Sequence, residues 1–127
     1  MRALHSELGP YISLATFRRD ATAALTPVWF AERDGKLYVF TEADSYKVRR
    51  LRRNPRVRVA ACTMRGRVTG EWIEGRGRVV DEPQTIGRAY EALRSKYGWQ
   101  MRLVDLVSTI AGRIGNRAIL ELELSEA

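Results

Sequence analysis

Apolar and polar residues alternate with a period of two in several stretches of the chain, and each such stretch reads as a β-strand with one face on a core. From Tyr11 the run YISLATF sets Ile12, Leu14 and Thr16 on one side. Ala24 to Phe30 (ALTPVWF) reads as a second strand, in which Pro27 lacks a ladder N–H and belongs at an edge, a bulge or an exposed side. Asp34-Gly35 lies between WFAER and KLYVFT and predicts a tight hairpin, because Asp-Gly takes positive φ readily. VRVAACTM from Val57 and EWIEGRGRVV from Glu71 give a fourth and a fifth strand, with Gly66 and Gly70 in the turn between them. AILELELS alternates strictly from Ile119 and predicts the last strand.

Three segments break the period of two. Glu42, Ala43, Asp44 and Ser45 suit a helix N-cap, and SYKVRRLRR then runs to Asn54-Pro55, where a helix must stop. On that short helix Val48 and Leu51 share one face, and Lys47 and Arg50 another. Pro83 to Tyr97 opens on proline and repeats apolar residues at Ile86, Ala89, Tyr90, Leu93 and Tyr97, the pattern of an amphipathic helix. Leu103 to Ile110 predicts a further helix, broken by Gly112 to Asn116. Short strands joined by turns, with few helices, predict a mainly β or α+β barrel, and the hairpin argues against a parallel doubly wound sheet. Without repeats or a long linker, residues 1–127 are expected to form one domain.

Charge changes the picture more than composition does. The 22 Lys and Arg outnumber the 15 Asp and Glu, giving +7 at neutral pH and pointing to an anionic ligand. Lys47, Arg49, Arg50, Arg52, Arg53, Arg56 and Arg58 fall in one segment with no acid among them. No apolar run reaches the roughly 18 residues of a membrane helix. The start MRALHSELGP carries no basic head with an apolar run, so a cytoplasmic location without membrane partners is expected. One cysteine, Cys62, and one histidine, His5, exclude a disulfide framework and a Cys/His metal cage.

No side-chain constellation suits catalysis. His5 lies in an N-terminus expected to fray, Cys62 reads as a small core residue, and Asp81/Glu82 and Glu121/Glu123 read as solvated charge. The glycines at 66, 70, 75 and 77 form no dinucleotide fingerprint. Thr41 to Arg53 carries more, because a capped helix start with Ser45 and Lys47 offers free N–H groups and cations to a phosphate. A solvated basic helix face explains the same residues, and both readings stay open at this point.

TPVWF, LYVFTEADSYKVRRLRRNPRVRVAAC and GEWIEGRGRVVDEP resemble the flavin and deazaflavin oxidoreductases related to pyridoxamine 5'-phosphate oxidase, over Tyr11 to Pro83. The carrier is the pattern of Thr41, Ser45, Lys47, Arg50, Asn54, Pro55 and Val57. The resemblance implies an FMN-binding type of split β-barrel with a few peripheral helices, forming a homodimer with the cofactor at the subunit interface. Carried over by motif, Leu25, Thr26, Pro27, Val28, Trp29 and Phe30 would lie along the ring system and offer backbone groups. Phe40 and Thr41 would flank the ribityl chain and phosphate. Tyr46 and Lys47 would clamp the phosphate beside Ser45 and Arg50, and Gly70 to Trp72 would come from the other subunit.

The sequence lacks, after Ala127, the extended substrate region of the vitamin B6 oxidases, and its compact form is most similar to the branch that uses coenzyme F420. Arg49, Arg52, Arg53 or Arg56 would then meet that deazaflavin's carboxylate tail. The resemblance therefore implies an F420-dependent reductase passing hydride to a small organic acceptor, with no side-chain proton donor nominated. FMN in the same fold is the alternative, as is a carrier that binds the deazaflavin without turnover. Nucleic acid is not expected as a partner, since no recognition motif accompanies the basic segment.

Overall fold

The Asp34-Gly35 pair makes the hairpin its sequence predicts, with φ of 55° and 80° at the two residues, the positive pair that matches strand twist. Around it, the computed structural model describes residues 8–98 and 117–125. Their elements run β1 (Tyr11–Phe17), β2 (Ala23–Arg33), β3 (Lys36–Glu42), α1 (Tyr46–Arg53), β4 (Arg56–Ala61), β5 (Ile73–Val79), α2 (Pro83–Tyr97) and β6 (Arg117–Leu124). His5, the helix expected over Leu103 to Ile110 and the break at Gly112 to Asn116 lie outside the described residues.

The strands close into a barrel in the order β1-β2-β3-β6-β5-β4, every neighbouring pair antiparallel. The fold is mostly β, as the alternating patterns require. Period-two residues fill the interior: Ile12 and Leu14, Val28 and Phe30, Leu37 and Val39, Val57 and Val59, and Leu120 and Leu122 join one cluster. Val48 and Leu51 of α1, spaced three apart, complete it and are 1% and 3% exposed. Gly77 makes that closure possible, since a Cβ there would come within 2.8 Å of Leu122 Cδ2 and 3.2 Å of both Leu51 methyls.

A second cluster lies outside the barrel wall. Ala89, Leu93 and Tyr97, one stripe of α2, cover Ala31, Tyr38 and Ile119. The outer face of β3 and β6 is therefore buried at Tyr38 and Ile119, where the alternation alone predicts solvent.

Three details differ from the sequence pattern. β2 continues past Phe30 to Arg33, because the hairpin ladder runs on to the Arg33–Lys36 pair. β5 begins at Ile73 rather than Glu71, leaving Trp72 in the preceding loop. β1 is buried on both faces from Ile12 to Phe17, and the outward Phe17 ring lies under the Arg56 guanidinium at 4.5 Å.

Candidate functional site

The barrel wall opens between β2 and β3. β2 pairs with β1 over Ala23 to Trp29 but with β3 only from Phe30 to Arg33, while β3 pairs with β6 as far as Glu42. Continuing the β2–β3 register would set Trp29 against Phe40 and Val28 against Thr41, yet among the described residues neither pair forms. Pro27, unable to donate to a ladder, sits in this unpaired half and is exposed, as its ring chemistry requires.

Tyr97 fixes which backbone groups face the split. Its hydroxyl accepts from Phe30 N–H at 2.9 Å and donates to the Pro10 carbonyl at 2.6 Å, so the Phe30 amide points to the β1 side. Burial pushes the Tyr97 phenol up to about 12, which keeps that donor protonated. Strand alternation turns the neighbouring Trp29 N–H and C=O the opposite way, into the split. Within Pro27 to Phe30, then, Trp29 is the residue whose amide opens there.

The side chains of these strands are largely spoken for. Val28 and Phe30 point into the barrel at 8% and 1% exposure. Trp29 stacks on Tyr97 at 4.5 Å, and Phe40 meets Tyr90 edge-on at 5.6 Å with the Arg117 guanidinium 4.8 Å from its ring. Both rings thus pack under or beside α2. Thr26 and Thr41 are half-buried at the margins of the split, whereas Leu25 is exposed.

α1 begins where β3 leaves the split. Ser45 caps it, its Oγ accepting from Val48 N–H at 3.4 Å, and no acid occupies the first turn. Lys47 is half-buried there; burial and the nearby Arg50 charge hold its ammonium below the ordinary lysine range, with Glu42 opposing them. Arg50 Nε donates to Thr16 Oγ1 at 2.9 Å, joining α1 to β1. Tyr46 is 69% exposed, with Arg49 and Arg50 at 5.5 and 5.7 Å from its ring centre.

Two of the clamp residues, Tyr46 and Arg50, line a cleft beside α1, and Lys47 stays within reach of the Arg50 charge. Tyr46, Arg49, Arg50 and Arg53 line an open cleft of about 490 Å³ whose far wall is Arg18, Arg19 and Asp20 of the β1–β2 turn. Lys47 does not line it. Of the arginines expected to meet an anionic tail, Arg49 and Arg53 face this cleft, but Arg52 lines a separate cavity with Asp81 and Arg117, and Arg56 is bound to Glu74. Arg18 and Arg19 were not foreseeable as partners of α1: they read as turn residues, and only barrel closure sets that turn beside the helix.

The remaining candidates sort as follows. Gly70 and Trp72 lie in the loop before β5; a Cβ on Gly70 would reach Ala61 at 3.3 Å, and Trp72 is 39% exposed. Cys62 is a buried core residue, and burial pushes its thiol up. Glu121 corrects the expectation of solvated charge. It is 9% exposed, accepts from Tyr38 Oη at 2.8 Å and Arg78 Nε at 2.9 Å, and lies 3.8 Å from Lys36 Nζ, because side chains of the neighbouring β3 and β5 enclose it. Burial raises its pKa, but those hydrogen bonds outweigh it and hold the carboxyl below its ordinary value. Among the described residues, no three His, Cys, Asp or Glu side chains converge as a metal site, and no helix is long and apolar enough to cross a membrane.

Comparison with known proteins agrees with this architecture. An F420 reductase superposes with a TM-score of 0.62 at 22% identity, over 99% of this chain and 96% of that one. The heme storage protein HutZ of Vibrio cholerae gives 0.72 at 10% identity over 97% and 89%, and a FAD-binding protein of Mesorhizobium loti 0.63 at 16% over 99% and 90%. An F420 reductase, a heme storage protein and a FAD-binding protein thus share this fold. No curated protein matches the chain. The family model for pyridoxamine 5'-phosphate oxidase, however, matches residues 7–127, strands, split and capped α1 together, and the chain belongs to that family.

Proposed function

We propose that the chain is a reductase that uses coenzyme F420, binding the deazaflavin along the β2–β3 split and passing hydride to a small organic acceptor. The observation that carries this reading is the junction of the split with the capped start of α1, where half-buried Lys47 lies in a first turn capped by Ser45 and free of acidic residues. That donor set fits a phosphate. Free first-turn amides, the positive end of the helix and a desolvated ammonium all favour an anion. The similarity in fold to an F420 reductase supports the choice of cofactor.

When bound, the cofactor supplies the hydride chemistry. The protein's residues bind and orient it. Lys47 holds the phosphate, with Thr41, Ser45, Tyr46 and Arg50 around it. The outward amide of Trp29 addresses the ring system, with Thr26, Pro27, Val28 and Phe30 forming the strand beside it and Phe40 closing the other margin. No side chain is assigned as proton donor.

The same reading makes the protein a cytoplasmic homodimer. Leu25 and Pro27 project from the outer face of β2, and a Cβ on Gly66, in the loop that carries exposed Met64 and Trp72, would lie 3.6 Å from the Pro27 ring. A second copy covering this surface would bring Gly70 and Trp72 of the partner subunit over the split and exclude water from it. Leu25→Glu is expected to yield monomers in light scattering and to lose cofactor; a wild-type monomer would end the two-chain site.

The deciding experiment is a parallel fluorescence titration with coenzyme F420 and FMN at fixed low salt. Phosphate-competed binding of the deazaflavin, weakened at least tenfold in Lys47→Ala by loss of about 1.5 to 3 kcal/mol of charge-assisted hydrogen bonding, is the expected result. Preference for FMN would make it a flavin enzyme of the same fold. Binding of the deazaflavin without oxidation of its reduced form by quinone, enone or nitroaromatic acceptors would make it a carrier.

A further inference from the structure

The chain has three lysines, Lys36, Lys47 and Lys96, and the last is held unlike the others. Lys36 lies 3.8 Å from a Glu121 oxygen and Lys47 belongs to the start of α1, whereas among the described residues no ion pair uses Lys96. Its Nζ donates to the Gly9 carbonyl at 3.0 Å and stands 3.2 Å from the centre of the Phe30 ring. We infer that Lys96 is a nucleophilic amine and a modification site, acylated by small acyl phosphates that enter the open cleft between the end of β2 and α2.

The surroundings of the nitrogen assign its bonds. The Gly9 carbonyl and the face of the Phe30 ring both take N–H groups, and the side-chain stem occupies a third position. One position remains, a proton in the ammonium and the lone pair in the free amine, and it is turned away from both acceptors. Lys96 lines a cleft of about 430 Å³ with Ala31, Glu32, Arg33, Ala92 and Ser95, where that position can meet a reactant. Glu32 and Arg33 bring charge to the cleft from β2, yet it is loss of solvation that pushes the Lys96 amine down to about 8. At pH 7 about a tenth of such amines are neutral, against about four in ten thousand at the ordinary lysine value.

The same cleft favours an anionic acyl donor. Arg33 pairs with Asp34 through Nε at 3.7 Å and with Glu91 through Nη1 at 3.5 Å, long contacts that leave Nη2 for a phosphate oxygen. The cleft is of small-molecule size, which suits a short acyl group on one phosphate. In the reaction the Lys96 nitrogen attacks the acyl carbon, the C–N bond forms and the C–O bond to phosphate breaks. Inorganic phosphate leaves with the electron pair, and the nitrogen gives up its proton to water. The amide that results still has an N–H for the Gly9 carbonyl but brings no charge to the Phe30 ring.

Incubation of the full chain with acetyl phosphate at pH 7.5, followed by peptide mass spectrometry, compares the lysines within one molecule. No cofactor takes part, so the result is independent of the F420 reading. Lys96 should be acetylated at least about tenfold faster than Lys36. Its rate should rise with pH up to about 8 and then level, as the amine becomes fully neutral. Arg33→Ala, a change at the surface that should leave the circular dichroism spectrum unaltered, is expected to slow the reaction with acetyl phosphate at least about threefold. The same variant should react with uncharged 4-nitrophenyl acetate within about twofold of wild type, which separates recognition of the phosphate from reactivity of the amine. Equal rates at Lys96 and Lys36, or a Lys96 rate that still climbs above pH 9, would mark an ordinary solvated amine and overturn the inference. A slowing in Arg33→Ala that is the same for both donors, or no slowing at all, would overturn the choice of acyl phosphate.

Discussion

The barrel wall and the α1 cleft use arginine in opposite ways. On the wall, Arg56 and Arg58 both hydrogen-bond Glu74, and Arg78 binds Glu82 through two bonds of 2.9 Å while reaching Glu121. In the cleft, Arg18, Arg50 and Arg53 are tied to hydroxyls and carbonyls, and Arg49 leans on Tyr46. Neutral acceptors fix orientation without cancelling charge. The wall arginines are therefore part of the fold, and the cleft arginines present a charge that the fold leaves for something else. A net charge of +7 obscures this distinction, since it counts both groups alike.

The sharpest way to break the comparison is at Glu121, where the wall's network is buried. Glu121→Gln removes the charge that Arg78 and Lys36 share and weakens the Tyr38 bond, and should cost about 2 kcal/mol in urea unfolding. Cofactor binding beside α1 should stay unchanged. A loss of both would mean that the two regions form a single electrostatic unit.

A smaller effect follows from pH. Hydrogen bonds from Arg56 and Arg58 hold the Glu74 carboxyl down to about 2, against an ordinary value of 4.5. Because the folded value is the lower one, the unfolded chain binds the proton first as pH falls. The stabilisation is complete above pH 4.5 and drains away as pH drops towards 2. Glu74 is half-exposed, so solvent screening limits the effect to below about 1 kcal/mol. Glu74→Gln should lower the unfolding midpoint at pH 7 slightly and flatten its decline between pH 4.5 and 2. A decline as steep as that of wild type would assign the acid sensitivity to other carboxylates.

How much of this was legible beforehand depends on the range of the interaction. Local chemistry was readable: the Asp34-Gly35 turn, the Ser45 cap, the Val48 and Leu51 stripe and the α2 stripe ending at Tyr97 all follow from spacings within one element. The strands were readable too, and with the family motif so was the split barrel. Properties created by closure were not. Nothing near Glu121 signals burial, because its partners Tyr38 and Arg78 come from β3 and β5. The hydroxyl of Tyr97 reaches Phe30 across 67 positions, and that contact decides which amides of β2 can face the split. Arg18 and Arg19 likewise become neighbours of α1 only when β1 and β4 pair.

The smallest expected effect is the most informative about the cleft. Arg49 contacts the exposed ring of Tyr46 and otherwise faces a cleft lined by four other arginines and one carboxylate, Asp20. An exposed cation–π contact contributes about 0.5 to 1 kcal/mol, and relief of repulsion among neighbouring guanidiniums offsets it. Arg49→Ala should therefore leave the urea midpoint within about 0.5 kcal/mol of wild type, or raise it. The offset is electrostatic, so it should shrink as salt screens the cleft, making the variant relatively less stable in 1 M than in 0.05 M sodium chloride, where the Debye length falls from more than about 10 Å to about 3 Å. Arg78→Ala should show no such reversal, being destabilised at both concentrations by loss of its carboxylate partners. If instead Arg49→Ala were destabilised most at low salt, Arg49 would have an attractive partner, and the cleft would belong with the wall as a self-neutralised part of the fold.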